Sequence, residues 1–173
     1  MLYTPAEDTF LLAECIRNYR GSRALEIGVG AGPLLRALEK NFELVGGSDI
    51  DIEAIRHCAG RTGAMLVCCD AASAFSTSAR FDLIVSNPPY LPAEGKIFDS
   101  TVDGGPKGIE KTVHFVESAL PLLADGCSML IVVSSLSDQG ALDRLVANSR
   151  VHKNVISEKR LFYETLYVME LSR

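Results

Sequence analysis

A chain of 173 residues, 47% hydrophobic and 23% charged, fits one globular domain spanning residues 1–173, with a sizeable core. The net charge is −5 and Lys and Arg are scattered without a basic run, which disfavours broad contact with a nucleic-acid backbone; no direct nucleic-acid partner is expected. No apolar stretch approaches the roughly 20 residues of a membrane helix, and the acidic start "MLYTPAEDTF" lacks the basic flank of a secretory signal, so a soluble cytoplasmic protein without membrane contact is expected.

The first helix is signalled by "TPAE" at 4–7: Thr4 as N-cap, Pro5 at the first helical position, and Glu7 completing a capping box. Leu11, Leu12, Cys15, Ile16 and Tyr19 follow with helical spacing, and Gly21 closes the segment. "RALEIGV" (23–29) is a buried strand running into glycines, and "GPLLRALEK" is the helix after it, with Pro33 in its first turn. "FELVGGSD" (42–49) is a second strand, and "IEAIRHCAG" a helix ended by Gly60. "AMLVCCD" (64–70) and "FDLIVSN" (81–87) are the third and fourth strands. A polar loop spans about 91–107; its "GGPKG" (104–108) reads as the entrance to a helix marked by Ile109, Val113, Val116, Leu120 and Leu123, bent near Pro121. "CSMLIVVSS" (127–135) is a fifth strand, "LSDQGALDRLVANS" a helix, and "VHKNVISEKR" and "ETLYVMELSR" two closing strands.

This alternation of strand and helix predicts a Rossmann-like α/β fold, with a mostly parallel sheet covered on both faces. The five cysteines (Cys15, Cys58, Cys68, Cys69 and Cys127) form no CxxC pair; they read as small core residues in a reducing compartment rather than zinc ligands or disulfides. His57 and His114 fall inside helices and read as surface or core-edge residues; His152, in a closing strand, has no evident partner.

Ligands of such sheets bind at the carboxyl ends of the strands, so the polar residues there are the candidates. The first strand ends in Glu26-Ile27-Gly28-Val29-Gly30-Ala31-Gly32, where glycines permit a sharp turn and close approach to a ligand. Pro33 follows, so the GxGxxG spacing of a pyrophosphate site is missing, and the Glu26 carboxylate would repel a phosphate. That carboxylate suits a cationic group instead. Asp49 ends the second strand, 19 residues after Gly30, at the offset of a ribose-binding acid; Asp51 is the competing candidate and reads as the start of the next helix. Asp70, beside Ala71, ends the third strand where an exocyclic amine such as adenine N6 would sit. A ligand with ribose, adenine and a cationic amino-acid part but no phosphate matches S-adenosylmethionine, with S-adenosylhomocysteine as product.

The fourth strand ends in Asn87-Pro88-Pro89-Tyr90. Asn87 Oδ1 and the Pro88 carbonyl are two acceptors, and Pro89 holds Pro88 extended. Together they can grip both hydrogens of a planar NH2 group and direct its lone pair at a sulfonium methyl, stabilising charge as it develops. Tyr90 can stack on the flat face of the same group. Methylation of an amino group on a nucleic-acid base would use the same four residues. A dinucleotide oxidoreductase is opposed by Glu26 and Pro33, and a silent binding module by the intact Asn-Pro-Pro-Tyr run.

"YTPAEDTFLL", "LEIGVGAGPLLRAL", "SDID", "CCDA" and "FDLIVSNPPY" together resemble the HemK-type glutamine N5-methyltransferases, in detail the short archaeal and eukaryotic branch acting on the class 1 translation release factor. The resemblance runs through "GGPKG" to the closing "YETLYVMEL". It implies a seven-stranded sheet of order 3-2-1-4-5-7-6 with the last strand antiparallel. It implies cofactor contacts at Thr9, Glu26, Gly28, Asp49, Asp70, Ala71 and Asn87, and a glutamine of the release factor's Gly-Gly-Gln loop held by Asn87, Pro88 and Tyr90. It also implies a small zinc-binding activator subunit. The third strand would be a sheet edge, yet "AMLVCC" carries no charge or proline to block pairing, so the activator is expected on the edge 64–69.

Overall fold

Strands that are apolar on both faces occupy the middle of a sheet, and β1 (Gly21–Ile27) and β4 (Phe81–Ser86) lie side by side at its centre. The structure is a computed structural model and describes residues 4–93 and 102–173. Parallel strands β2 (Phe42–Asp49) and β3 (Met65–Cys68) extend the sheet on one side. On the other, β7 (Leu123–Ser134) is parallel to β4, and β9 (Thr165–Ser172) returns antiparallel between β7 and the edge strand β8 (His152–Arg160). The seven strands stand in the order β3-β2-β1-β4-β7-β9-β8. Counted over the large sheet alone, this is the expected 3-2-1-4-5-7-6 order. The difference in detail is a separate pair of two short strands, β5 (Leu91–Pro92) and β6 (Asp103–Gly105), in what the sequence presents as loop. Residues 94–101 of that loop lie outside the described residues.

Successive residues of a strand face opposite sides, and the core divides accordingly. Ala24, Leu83, Val85, Leu130 and Val132 face one layer, built from α1 (Glu7–Ile16), α2 (Pro33–Leu38) and α3 (Ile52–Cys58). Leu25, Ile27, Ile84, Met129, Ile131 and Val133 face the other, with α4 (Glu110–Ala119) and α5 (Gly140–Ala147). Among the described residues no helix is long and apolar enough to cross a membrane.

Several local expectations change. The capping box at 4–7 does not form: α1 begins at Glu7 with Ala6 at its N-cap and no side-chain cap, and it ends at Ile16, so Gly21 opens β1 instead of closing the helix. The acids of its first turn, Glu7 and Asp8, are held by partners elsewhere; Glu7 pairs with Lys159 of β8. Asp51 does cap α3, accepting from Glu53 N at 2.9 Å. Pro121 lies in a 3-10 turn, Leu120–Leu122, that ends α4. The cysteines are all free thiols, but only Cys15 and Cys58 are buried; Cys68 is exposed because it ends β3, an edge strand with none of its four residues buried.

Candidate active site

The carboxyl ends of β1, β2 and β4, the segment after β3 and the first turn of α1 enclose a cavity of about 550 Å³, a size suited to a small-molecule ligand. Thr9, Glu26, Gly28, Gly30, Asp49, Asp70, Ala71, Asn87, Pro88, Pro89 and Tyr90 all line it. The sequence therefore nominated residues that the fold brings to one place.

The glycine turn is tied to the end of β2. Gly28 N and Val29 N both donate to the Ser48 carbonyl, at 2.8 and 3.1 Å. Gly28, Gly30 and Gly32 have φ of 80°, 48° and 79°, the left-handed region in which a side chain is strained. Gly30 N donates to Asp49 Oδ2 at 3.0 Å, and Asp51 N to Asp49 Oδ1 at 2.9 Å. Two backbone amides thus fix the Asp49 carboxylate, and each oxygen keeps acceptor capacity toward the cavity. Asp49→Ala is expected to weaken cofactor binding by about 1.5–3 kcal/mol, roughly 10–150-fold in Kd, the range of a charge-assisted bond. Calorimetry showing unchanged affinity refutes that role.

Glu26 is 1% exposed. Burial pushes its carboxyl well above the ordinary carboxylate range and the nearby negative Asp49 adds to the rise, against a lowering hydrogen bond from the Leu35 backbone. Among the described residues its Oε2 has no hydrogen-bond partner, and neither do Ser48 Oγ nor Asn87 Oδ1; all three are buried, and their residues line the same cavity. An orphaned buried polar atom costs free energy until a ligand satisfies it. Three around one cavity fit a polar ligand with a cationic group near Glu26. Ala71 adds strain on the same wall, at φ 46° for a residue with a Cβ.

Asn87 donates from Nδ2 to Thr9 Oγ1 at 3.3 Å, its Oδ1 meets no donor among the described residues, and Pro88 beside it is buried. Tyr90 is half-buried and donates its hydroxyl to Asp8 Oδ2 at 2.9 Å. The expected helix entrance "GGPKG" has a second role. A Cβ on Gly104 would sit 2.6 Å from the Pro89 carbonyl oxygen, and one on Gly108 would sit 2.5 Å from that of Tyr90. These glycines let one backbone lie directly behind the other. Ser137 Oγ donates to the Tyr90 carbonyl at 2.6 Å from the other side.

Sequence reasoning missed Ser48 and several residues of the α1 and α4 side of the cavity wall. His114, read as a surface or core-edge residue, is half-exposed and pairs through Nε2 with Asp70 Oδ1 at 2.9 Å on the cavity wall. Lys111 and Phe115 of α4, and Asp8 of α1, also line the cavity. The spacing of Lys111, His114 and Phe115 marks one helix face; nothing local says that the face meets the end of β3.

A mostly parallel sheet of this order, a glycine turn, an acid at the end of β2 and an Asn-Pro-Pro-Tyr run after β4 define a Rossmann-like methyltransferase. The methyltransferase small domain family matches residues 7–159, and the chain belongs to it. It is 30% identical over 147 residues to a Methanocaldococcus jannaschii protein with the provisional name protein N5-glutamine methyltransferase, covering 80% of this chain and 75% of that one. Among solved structures, the E. cuniculi Mtq2-Trm112 complex, responsible for methylation of the eRF1 translation termination factor, matches with a TM-score of 0.82 at 23% identity, over 99% of this chain and 98% of that chain. The T. thermophilus 16S rRNA N2 G1207 methyltransferase, in complex with AdoMet and guanosine, matches with a TM-score of 0.68 at 20% identity, over 99% of this chain and 44% of that one. The protein is an enzyme, a methyltransferase whose methyl donor is S-adenosylmethionine.

Proposed function

We propose that the enzyme methylates the side-chain nitrogen of a glutamine, in the Gly-Gly-Gln loop of the class 1 translation release factor. The observation that carries this reading is the buried Asn87 Oδ1, unpartnered among the described residues, beside Pro88 on the cavity wall. In this reading Oδ1 accepts one N–H of the glutamine amide and the Pro88 carbonyl accepts the other, with Pro89 keeping Pro88 extended and the Tyr90 ring against the amide plane. An amide nitrogen is a weak nucleophile because its lone pair is delocalised. Gripping both N–H bonds orients that lone pair and favours its localisation during transfer. S-adenosylmethionine supplies an electrophilic methyl on a sulfonium. Glu26 would hold its ammonium group, Asp49 its ribose hydroxyls and Asp70 its adenine amine, with Gly28, Gly30, Ala71 and Thr9 completing the pocket.

The partner half of the reading rests on the sheet edge. The four residues of β3 pair with Gly46–Asp49, so the first half of β2 has no strand beside it on that side among the described residues, and Leu44 and Met65 are 49% and 64% exposed. A zinc-binding activator subunit seated there would add a strand and cover both side chains. The similar E. cuniculi protein is held in a complex with Trm112. A cytoplasmic setting suits five free thiols.

Radiolabelled methyl transfer tests the reading, with and without an activator subunit, to release factor carrying Gln or Asn in its loop. Label is expected in the Gln protein alone, and more with activator. Label in tRNA or DNA controls instead would favour the base-methylating alternative, in which the same grip holds an exocyclic amine on a base.

A further inference from the structure

An amide side chain has two ends of almost equal shape, so the surrounding hydrogen bonds decide which end faces the cavity. At Asn87 that decision passes back through Thr9 to Asp8. Asp8 is 3% exposed and lines the cavity. Its Oδ1 accepts from Thr9 N at 2.5 Å and from Thr9 Oγ1 at 3.2 Å, and its Oδ2 accepts from the Tyr90 hydroxyl at 2.9 Å. A threonine hydroxyl has one proton. Committed to Asp8, that proton leaves Thr9 Oγ1 only lone pairs to offer Asn87, so Asn87 must turn its NH2 end to Thr9, as it does at 3.3 Å, and its Oδ1 to the cavity. Without Asp8, Thr9 could donate to Asn87 Oδ1. The NH2 end would then face the cavity, where it would meet the N–H donors of the acceptor amide, a donor against a donor.

We propose that Asp8 is a positioning residue of the methyl-transfer reaction: through Thr9 it sets the polarity of Asn87, and through its second oxygen it holds Tyr90, the far end of the same loop. One carboxylate thus orients both groups that would face the acceptor nitrogen. The proposal rests on the glutamine reading above and deepens it, since it gives a buried acid a part in aiming the two side chains it bonds.

The test uses Asp8→Ala, Asp8→Asn, Thr9→Val and the Asp8→Ala/Thr9→Val pair, assayed on the glutamine-bearing release factor with activator present. Asp8→Ala is expected to lower kcat by roughly 10–100-fold, the scale of a misplaced reacting group, with cofactor Kd changed by less than about threefold. Asp8→Asn keeps an acceptor for Thr9 and should lose less. Because both residues act along one chain of hydrogen bonds, the pair should lose no more than Asp8→Ala alone. A second readout needs no substrate. The side-chain NH2 protons of Asn87, observed by 15N-resolved NMR, should exchange with solvent slowly in the wild type and at least about tenfold faster in Asp8→Ala, where they face the cavity. Losses that multiply in the pair, a kcat within threefold of wild type in Asp8→Ala, or unchanged Asn87 exchange would each overturn the proposal. Should Asp8→Ala fail to fold, Asp8→Asn and Thr9→Val carry the same comparison, and Asn87 exchange unchanged in Thr9→Val overturns the relay. A wild type that labels no glutamine sinks the functional reading, while the Asn87 measurement still decides the relay.

Discussion

Asn87→Ala is expected to leave a folded protein that binds much of its cofactor and transfers no measurable methyl. The substitution removes one of the three buried acceptors on the cavity wall that pair with nothing among the described residues, the one that stands beside Pro88. Loss of a single preorganised group that meets developing charge lowers turnover by about 10²–10³-fold, and here the same group also orients the nucleophile, so the loss should reach or pass that range. Stability should change little. The Asn87 Nδ2 bond to Thr9 is lost, but so is an unsatisfied buried oxygen, and the two effects oppose. Single-turnover transfer with calorimetry of cofactor binding separates the cases. An active variant refutes the role of Asn87, and an inactive one with cofactor binding lost assigns Asn87 to the cofactor alone.

Gly108→Ala is the second large effect. Gly108 has φ of 73°, and an added Cβ would meet the Tyr90 carbonyl oxygen at 2.5 Å, Pro92 N at 2.7 Å and the Leu91 carbonyl carbon at 2.9 Å. All three are backbone atoms, so no side chain can swing aside and the loop itself must move. Displacement of a positioning loop by about 1 Å costs roughly 100-fold in turnover. Gly60→Ala is the control. Gly60 has φ of 76° with nothing within 4 Å of the added Cβ, so it carries the left-handed strain of about 1–2 kcal/mol without the clash. Gly108→Ala should therefore lose more stability than Gly60→Ala and most of the activity, while Gly60→Ala stays active. Equal melting temperatures and equal turnover in the two variants would mean that "GGPKG" does not support the Asn-Pro-Pro-Tyr loop.

Much of this was legible before any coordinates. Asp51 announces the start of α3 because a helix N-terminus needs an acceptor, and Asp51 supplies it. The order of the seven strands could be expected from the family resemblance, and the α/β alternation from periodicity alone. Asp49, Asp70 and Asn87 could be named because parallel strands end on one side of a sheet, so a polar residue closing an apolar run is aimed at a common place. Thr4 shows the opposite case. "TPAE" satisfies the local capping rule, yet α1 starts two residues later than it signals, with Glu7 pairing with Lys159 and Asp8 bonding to Thr9 and Tyr90. Tertiary partners for those two acids outweighed one local cap.

Local chemistry along the chain thus settled which strands and helices build the large sheet and its layers, and which strand-end residues share a cavity. Folding alone settled the contacts between segments distant in sequence: the His114 imidazole on Asp70, the backbone of Gly104 and Gly108 behind Pro89 and Tyr90, the exposure of Cys68, and the direction in which Asn87 points its oxygen. Periodicity and strand ends are properties of neighbouring residues, whereas the rotation of a helix face, the approach of two backbones and the choice between two ends of an amide depend on atoms that meet only once the layers have packed.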